Sequence, residues 1–241
     1  MSEEAPRESK PFEESIEKLI ARLRRVALPP NVFNIYHTGD PAHDVRGGAA
    51  KRRENLRRYL KALPDPKFVL IGLCPGWRGA RFTGVPFTDE ARLCLTGSCY
   101  DRTSSSPEPL RERSAGVAMD LIGARTDVVC WNAVPWHCHE ADEPMSNATP
   151  SAEAINLGAA ELEYFLARLY PRAQPVSVGE IARDVLSQVS KRHGIPPADS
   201  GIWSQFRAAI HVRHPAHGGE KEFREGLARI LGITLHEDAD D

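Results

Sequence analysis

The chain has 241 residues, 41% of them hydrophobic and 27% charged, with a formal net charge of −2. That length suits one three-layer domain or two small ones, and the composition is ordinary for a soluble globular protein. No apolar run approaches the length of a membrane span, and the opening MSEEAPRESK is too acidic and polar for a signal peptide.

The charge is unevenly spread. Residues 1–20 hold six acids and three bases, and residues 237–241 hold four acids, which leaves 23 acids against 28 bases between them. The body is therefore mildly basic between two acidic ends, which permits a phosphate partner without proving one. The five cysteines are odd in number and irregularly spaced. They read as reduced thiols, and a cytoplasmic location is expected.

Residues 1–10 read as a disordered acidic tail, with a single domain over 11–241. Ile16, Leu19, Ile20 and Leu23 recur at helical spacing and predict a helix over about 12–27. Residues 28–48 read as a long loop, and Leu56, Tyr59, Leu60 and Leu63 predict a second helix ended by Pro64 and Pro66. KFVLIGL (67–73) is a short apolar run of the kind that forms a buried strand. It is followed by GLCPGWRGARFTGVPF (72–87), which spends four glycines and two prolines in sixteen positions. Glycine marks positive φ or close approach, so something is expected to come near this loop.

Residues 88–109 read as irregular and 111–124 as a helix. TDVVCWNAV (126–134) is a second buried strand, and Ile155, Leu162, Phe165, Leu166 and Leu169 mark a long helix ending near Pro171. PVSVGEIARDVL (175–186) reads as strand, glycine turn and helix. FRAAIHV (206–212) is a last strand, and Phe223, Leu227, Ile230 and Leu231 form a closing helix. Four strands alternating with helices predict an α/β fold, a three-layer α/β/α sandwich with a central four-stranded, mainly parallel sheet. Ligands bind such sheets outside the carboxyl ends of the strands. Three of those ends hold unusual residues: Leu73-Cys74-Pro75-Gly76, then Asn132 with Pro135-Trp136-His137, then His211, His214 and His217.

At these residues the chain resembles the uracil-DNA glycosylase superfamily. GLCPG after a strand resembles its first motif, a Gly-x-x-Pro-Gly loop. TGVPF (83–87) is similar to the single-strand-selective monofunctional branch and, more loosely, to the iron–sulfur branch. WNAVP resembles the strand-end Asn that reads uracil, HPAHGG the second motif His-Pro-Ser/Ala, and PVSVGEIA the third strand entering its helix. The match runs in order from about residue 67 to 232.

The resemblance implies removal of uracil or a related deaminated base from single- or double-stranded DNA, in base-excision repair, without a cofactor or metal. An extruded base would stack on Phe87. Asn132 would read the O4 and N3–H edge, because an amide both donates and accepts. His214 would stabilise negative charge on the leaving base. Gly72 and the backbone N–H groups of Leu73 and Cys74 would complete the base contacts. Pro75, Gly76, His217 and Gly218 would meet the DNA backbone, so that the glycine loop is opened for a nucleotide and its phosphate. A monomer is expected, since the enzyme must wrap a strand.

The departures are equally specific. The most active branches place a carboxylate second or third in the first motif, where this chain has Leu73 and Cys74. A slow enzyme is then expected, because general-base help is worth roughly 10²–10⁴-fold. No apolar wedge follows His214, and Trp136, His217 and Arg213 are the candidates for that task. Taken singly, Phe87 reads as a core aromatic, Asn132 as a turn or capping residue, His214 as structural and Cys74 as a small buried hydrophobe. Cys94, Cys99, Cys130 and Cys138 lack the spacing of cluster ligands. His137-Cys138-His139-Glu140 is no deaminase motif without a following Pro-Cys-x-x-Cys. Lys51-Arg52-Arg53 with Arg57-Arg58 reads as a solvated helix face. Two other functions stay open: a nucleic-acid or nucleobase-binding module without catalysis, and a hydrolase of free nucleosides.

Overall fold

The computed structural model describes residues 9–123, 125–192, 210–216 and 218–235. The chain enters through α1 (Ser9–Arg25), a two-residue strand β1 (Val32–Phe33) and α2 (Gly48–Lys61). β2 (Phe68–Gly72) leads through the short helices α3 (Ala80–Thr83) and α4 (Glu90–Leu93) to α5 (Arg113–Ile122) and β3 (Val128–Asn132). After β4 (His137–Cys138), α6 (Ala152–Tyr164) runs into a π-helical turn at Phe165–Leu169. The chain closes with β5 (Gln174–Val178), α7 (Glu180–Arg192), β6 (Ile210–Val212) and α8 (Glu220–Leu231).

The central sheet has the order β3-β2-β5-β6 and is parallel at every pairing, so the expected four-stranded α/β fold is what the chain forms. Side chains of period two divide its faces. Val69, Ile71, Val129 and Trp131 pack with α1, α2, α6 and α7, whereas Leu70, Val128, Cys130, Val176, Val178 and Val212 pack with α5 and α8. Both faces are covered, which is why the strands read as unbroken apolar runs. The π turn sets Phe165 flat against Trp131, with ring centroids 4.1 Å apart. Such pairs contribute about 0.5–1.5 kcal/mol beyond their area.

Several boundaries differ from the sequence reading. Ser9 and Lys10 already belong to α1, and residues 1–8 lie outside the described residues. The stretch read as a long loop contains β1, which pairs antiparallel with β4. Within 88–109, α4 forms where Asp89 caps the Arg92 N–H at 2.9 Å. Of the last predicted strand, residues 206–209 lie outside the described residues.

Candidate functional site

The site is built at the carboxyl ends of β2 and β3, where Gly72 pairs with Asn132 in register. The ladder continues past both strands, with the Ala133 N–H donating to the Gly72 carbonyl at 2.8 Å and the Val134 N–H to that of Leu73 at 2.8 Å. On α6, a Cβ at Gly158 would overlap the Ala133 carbonyl oxygen, so the helix lies backbone-close behind this turn. Asn132 is thereby fixed at the end of a fully buried strand and is itself only 4% exposed.

Gly72 faces the most crowded point. A Cβ there would fall 2.8 Å from Phe87 Cζ and 2.9 Å from Asn132 Oδ1. Ring and amide therefore meet over a position that admits no side chain. Phe87 is half-buried against the α5/α8 core and has φ 58°, in the left-handed region. A bulky residue there costs on the order of 1–3 kcal/mol, strain of a kind that collects at ligand sites.

The third loop brings His214 from beyond β6. Its Nδ1 accepts the Ala216 N–H at 3.1 Å, which leaves the ring proton on Nε2. A cavity of about 350 Å³ opens between the loops, a volume within the range of small-molecule sites. Gly72, Leu73, Cys74, Gly76, Phe87, Asn132 and His214 all line it, together with Glu112, Ser114, Ala115, Asn147, Ala148, Thr149 and Ala216.

Two contacts hold the glycine loop. His137 Nδ1 bonds the Pro75 carbonyl at 2.8 Å, and the Trp77 N–H donates to Asn147 Oδ1 at 2.9 Å. Burial lowers the His137 pKa to about 4, so this clamp is a neutral ring near pH 7. The Cys74 thiol is pushed well above its ordinary pKa by a hydrogen bond with Cys138 and by burial. It therefore offers no thiolate.

Glu112 is the acid that the sequence reading missed. It is the N-cap residue of α5, with its N–H donating to Asp89 Oδ2 at 3.0 Å. Its carboxyl folds against the glycine loop, so that a Cβ at Gly76 or Gly79 would overlap it. Its side-chain partner is the Ser114 hydroxyl at 3.4 Å. Burial, with Asp89 nearby, raises its pKa to about 7, although a helix N-terminus ordinarily favours a carboxylate. The glycines are thus approached by the protein itself: Phe87 and Asn132 at Gly72, Glu112 at Gly76 and Gly79.

A carboxyl whose folded pKa lies above its unfolded value loses stabilising free energy as pH rises between the two. Wild type should therefore lose thermal stability relative to Glu112→Gln as pH rises from the ordinary glutamate range toward 7. The two proteins should behave alike at lower pH, which melting scans of both across that window would check.

The other expected residues are scattered. Pro75 is buried, Gly218 is exposed at φ 78°, and neither lines the cavity; His217 lies outside the described residues. Trp136 cannot act as a wedge, because it is wholly buried with its indole N–H on the Leu23 carbonyl at 3.1 Å. Arg213 is exposed and paired with Glu222 at 3.0 Å. The basic run is only partly a solvated face, since Arg52 is fully buried and bonded to Asp44 at 2.8 Å. Cys130 sits in β3, Cys138 in β4, and Cys94 and Cys99 in the segment after α4. Among the described residues no three His, Cys, Asp or Glu side chains gather as metal ligands.

No protein-family model and no curated protein matches this sequence. Among solved structures the chain is similar to wild-type SMUG2 of Pedobacter heparinus, with a TM-score of 0.63 at 13% identity. The match covers 90% of this chain and 97% of that one. A likeness at that identity shows a shared fold.

Proposed function

We propose that this chain is a monofunctional DNA glycosylase that excises uracil or a related deaminated base. The observation that supports it best is the meeting of Phe87 and Asn132 over Gly72 in a cavity that His214 also lines. These are the three side chains that the motif resemblance assigns to stacking, reading and leaving-group stabilisation, and they come from the segment after β2, the end of β3 and the loop after β6. The fold shared with SMUG2, of the uracil-DNA glycosylase family, supports the same reading.

In this mechanism the flipped nucleotide enters the cavity and its base stacks on the Phe87 ring, worth about 1–3 kcal/mol. Asn132 bonds the base edge through its donor and acceptor, a pattern that cytosine cannot match. As the glycosidic bond breaks, electron density moves onto the base, and His214 Nε2–H donates to it. Leu73 and Cys74 are the observation behind a second reading, a binding module that retains the pocket without catalysis.

The deciding experiment is single-turnover incubation with labelled oligonucleotides holding one uracil, hypoxanthine or xanthine, in single- and double-stranded form. Alkali treatment reveals abasic sites. Strand breaks after alkali are expected for at least one lesion. Tight binding without breaks at stoichiometric protein would replace this function with the binding module. Cleavage of free nucleosides alone would make it a nucleoside hydrolase.

A further inference from the structure

Hydrolysis of an N-glycosidic bond needs an acceptor for the proton of the attacking water, and the first motif supplies none at Leu73 or Cys74. The cavity supplies one from elsewhere. Of its described lining residues, Glu112 is the only acid, and it comes from the start of α5, forty residues beyond Gly72.

Its placement is built in on three sides. The backbone of Glu112 is held by buried Asp89, whose carboxylate is bonded to Arg92 at 2.6 Å. A Cβ at Gly116, one turn along α5, would overlap the Arg92 guanidinium, so helix and side chain lie close together. The loop glycines at 76 and 79 leave the space that the Glu112 carboxyl fills. Among the described residues that carboxyl has no ion pair, and the 3.4 Å contact with Ser114 is a weak one. An acid held this way, lining the same cavity as Cys74 and His214, is costly to keep unless it is used.

We propose that Glu112 is the general base of this site, taking over the task of the carboxylate that the first motif lacks. This rests on the glycosylase reading. The C1′–N bond breaks with its electron pair leaving on the base, which His214 steadies as an anion. Water attacks C1′ and forms the C1′–O bond, giving its proton to the Glu112 carboxylate. The departing base takes a proton from solvent, and Glu112 returns its own, so free base and an abasic sugar are the products.

A base with a pKa of about 7 is well matched to neutral conditions, ionised in part yet strong enough to accept a proton. The charged and titratable groups around it are Asp89 and Arg92, which hold its backbone and the start of its helix, and Cys74 and His214, which line the same cavity. Asp89 opposes its ionisation. Arg92 is committed to Asp89, and the Cys74 thiol stays protonated.

The test is single-turnover excision of the lesion that wild type processes, at pH values on both sides of neutrality, for wild type, Glu112→Gln and Gly76→Ala. Wild-type rates should rise with pH through about 7. Glu112→Gln should be slower by roughly 10²–10⁴-fold and lose that rise, with oligonucleotide binding retained and a melting temperature no lower than that of wild type. Gly76→Ala keeps the carboxylate in the chain but displaces it, and should show the same loss. Glu112→Gln within a few-fold of wild type at every pH would overturn the assignment while leaving the glycosylase standing. Absence of product from wild type itself would overturn both.

Discussion

Replacing His214 with alanine is expected to slow single-turnover base excision about 10²–10³-fold, or about 2.7–4 kcal/mol, the usual effect of removing one preorganised donor to developing negative charge. The expectation rests on the tautomer. Because Nδ1 accepts the Ala216 N–H at 3.1 Å, the ring proton sits on Nε2, and the imidazole is already oriented before substrate arrives. A Cβ at Gly179 would lie 3.3 Å from His214 Cβ, so His214 rests against the β5–α7 turn. In the proposed mechanism the bond to the base strengthens as charge develops, so the variant should bind lesion-containing oligonucleotide nearly as well as wild type. Rates and dissociation constants measured together would separate the two effects. An equal loss in both would make His214 a binding residue and sink its role toward the leaving group.

The largest effect on stability should come from Asp44→Ala, at about 3–5 kcal/mol, the usual result of removing one partner from a buried ion network. Asp44 accepts from Arg52 at 2.8 Å, from Arg81 at 2.9 Å and from the Asp40 N–H at 3.0 Å. Both arginines are buried, at 0% and 1% exposure. Arg52 also bonds the carbonyls of Ile35 and Thr38, and Arg81 lies over the rings of Phe33 and Phe82. Without Asp44, Arg52 loses its one carboxylate partner among the described residues, and Arg81 keeps only Asp40. Burial works to raise the Asp44 pKa, but bonds from the arginines and the backbone outweigh it and hold the carboxyl below its ordinary range. Its stabilisation is therefore present above the ordinary aspartate pKa and is lost as pH falls through the lowered one. Urea unfolding should show a lower midpoint at unchanged slope. A change of less than about 1 kcal/mol would mean that water or a rearranged Asp40 replaces the carboxylate.

The same network explains where sequence reasoning stopped short. A Lys-Arg-Arg run on a helix looks like a charged surface, and nothing local distinguishes Arg52 from its neighbours. Only the approach of the segment holding Asp40 and Asp44, together with Thr103, makes that one arginine internal. Trp136 was misjudged for the converse reason. Its place beside a strand end suggests a site residue, but α1 covers it and supplies the Leu23 carbonyl to its indole.

Glu112 shows the limit most clearly. An acid at the N-terminal cap of a helix is what the helix dipole favours anywhere, so its sequence context held no signal of a site. Its distance from Gly76 and Gly79 along the chain bears no relation to the contact that forms. By contrast the four strands were legible, because residues buried on both faces must be apolar in succession. The pairing of strand-end residues followed from that, since parallel strands align their carboxyl ends.

What the sequence determined by itself was therefore local and periodic: the longer helices and the four buried strands of the sheet, with Gly72, Phe87, Asn132 and His214 as candidates in or after three of those strands. Tertiary structure alone decided which charged side chains were taken from water and which one entered the cavity. Burial and pKa depend on the segments that close over a residue. Those contacts join positions far apart in the chain and leave no period in it to read.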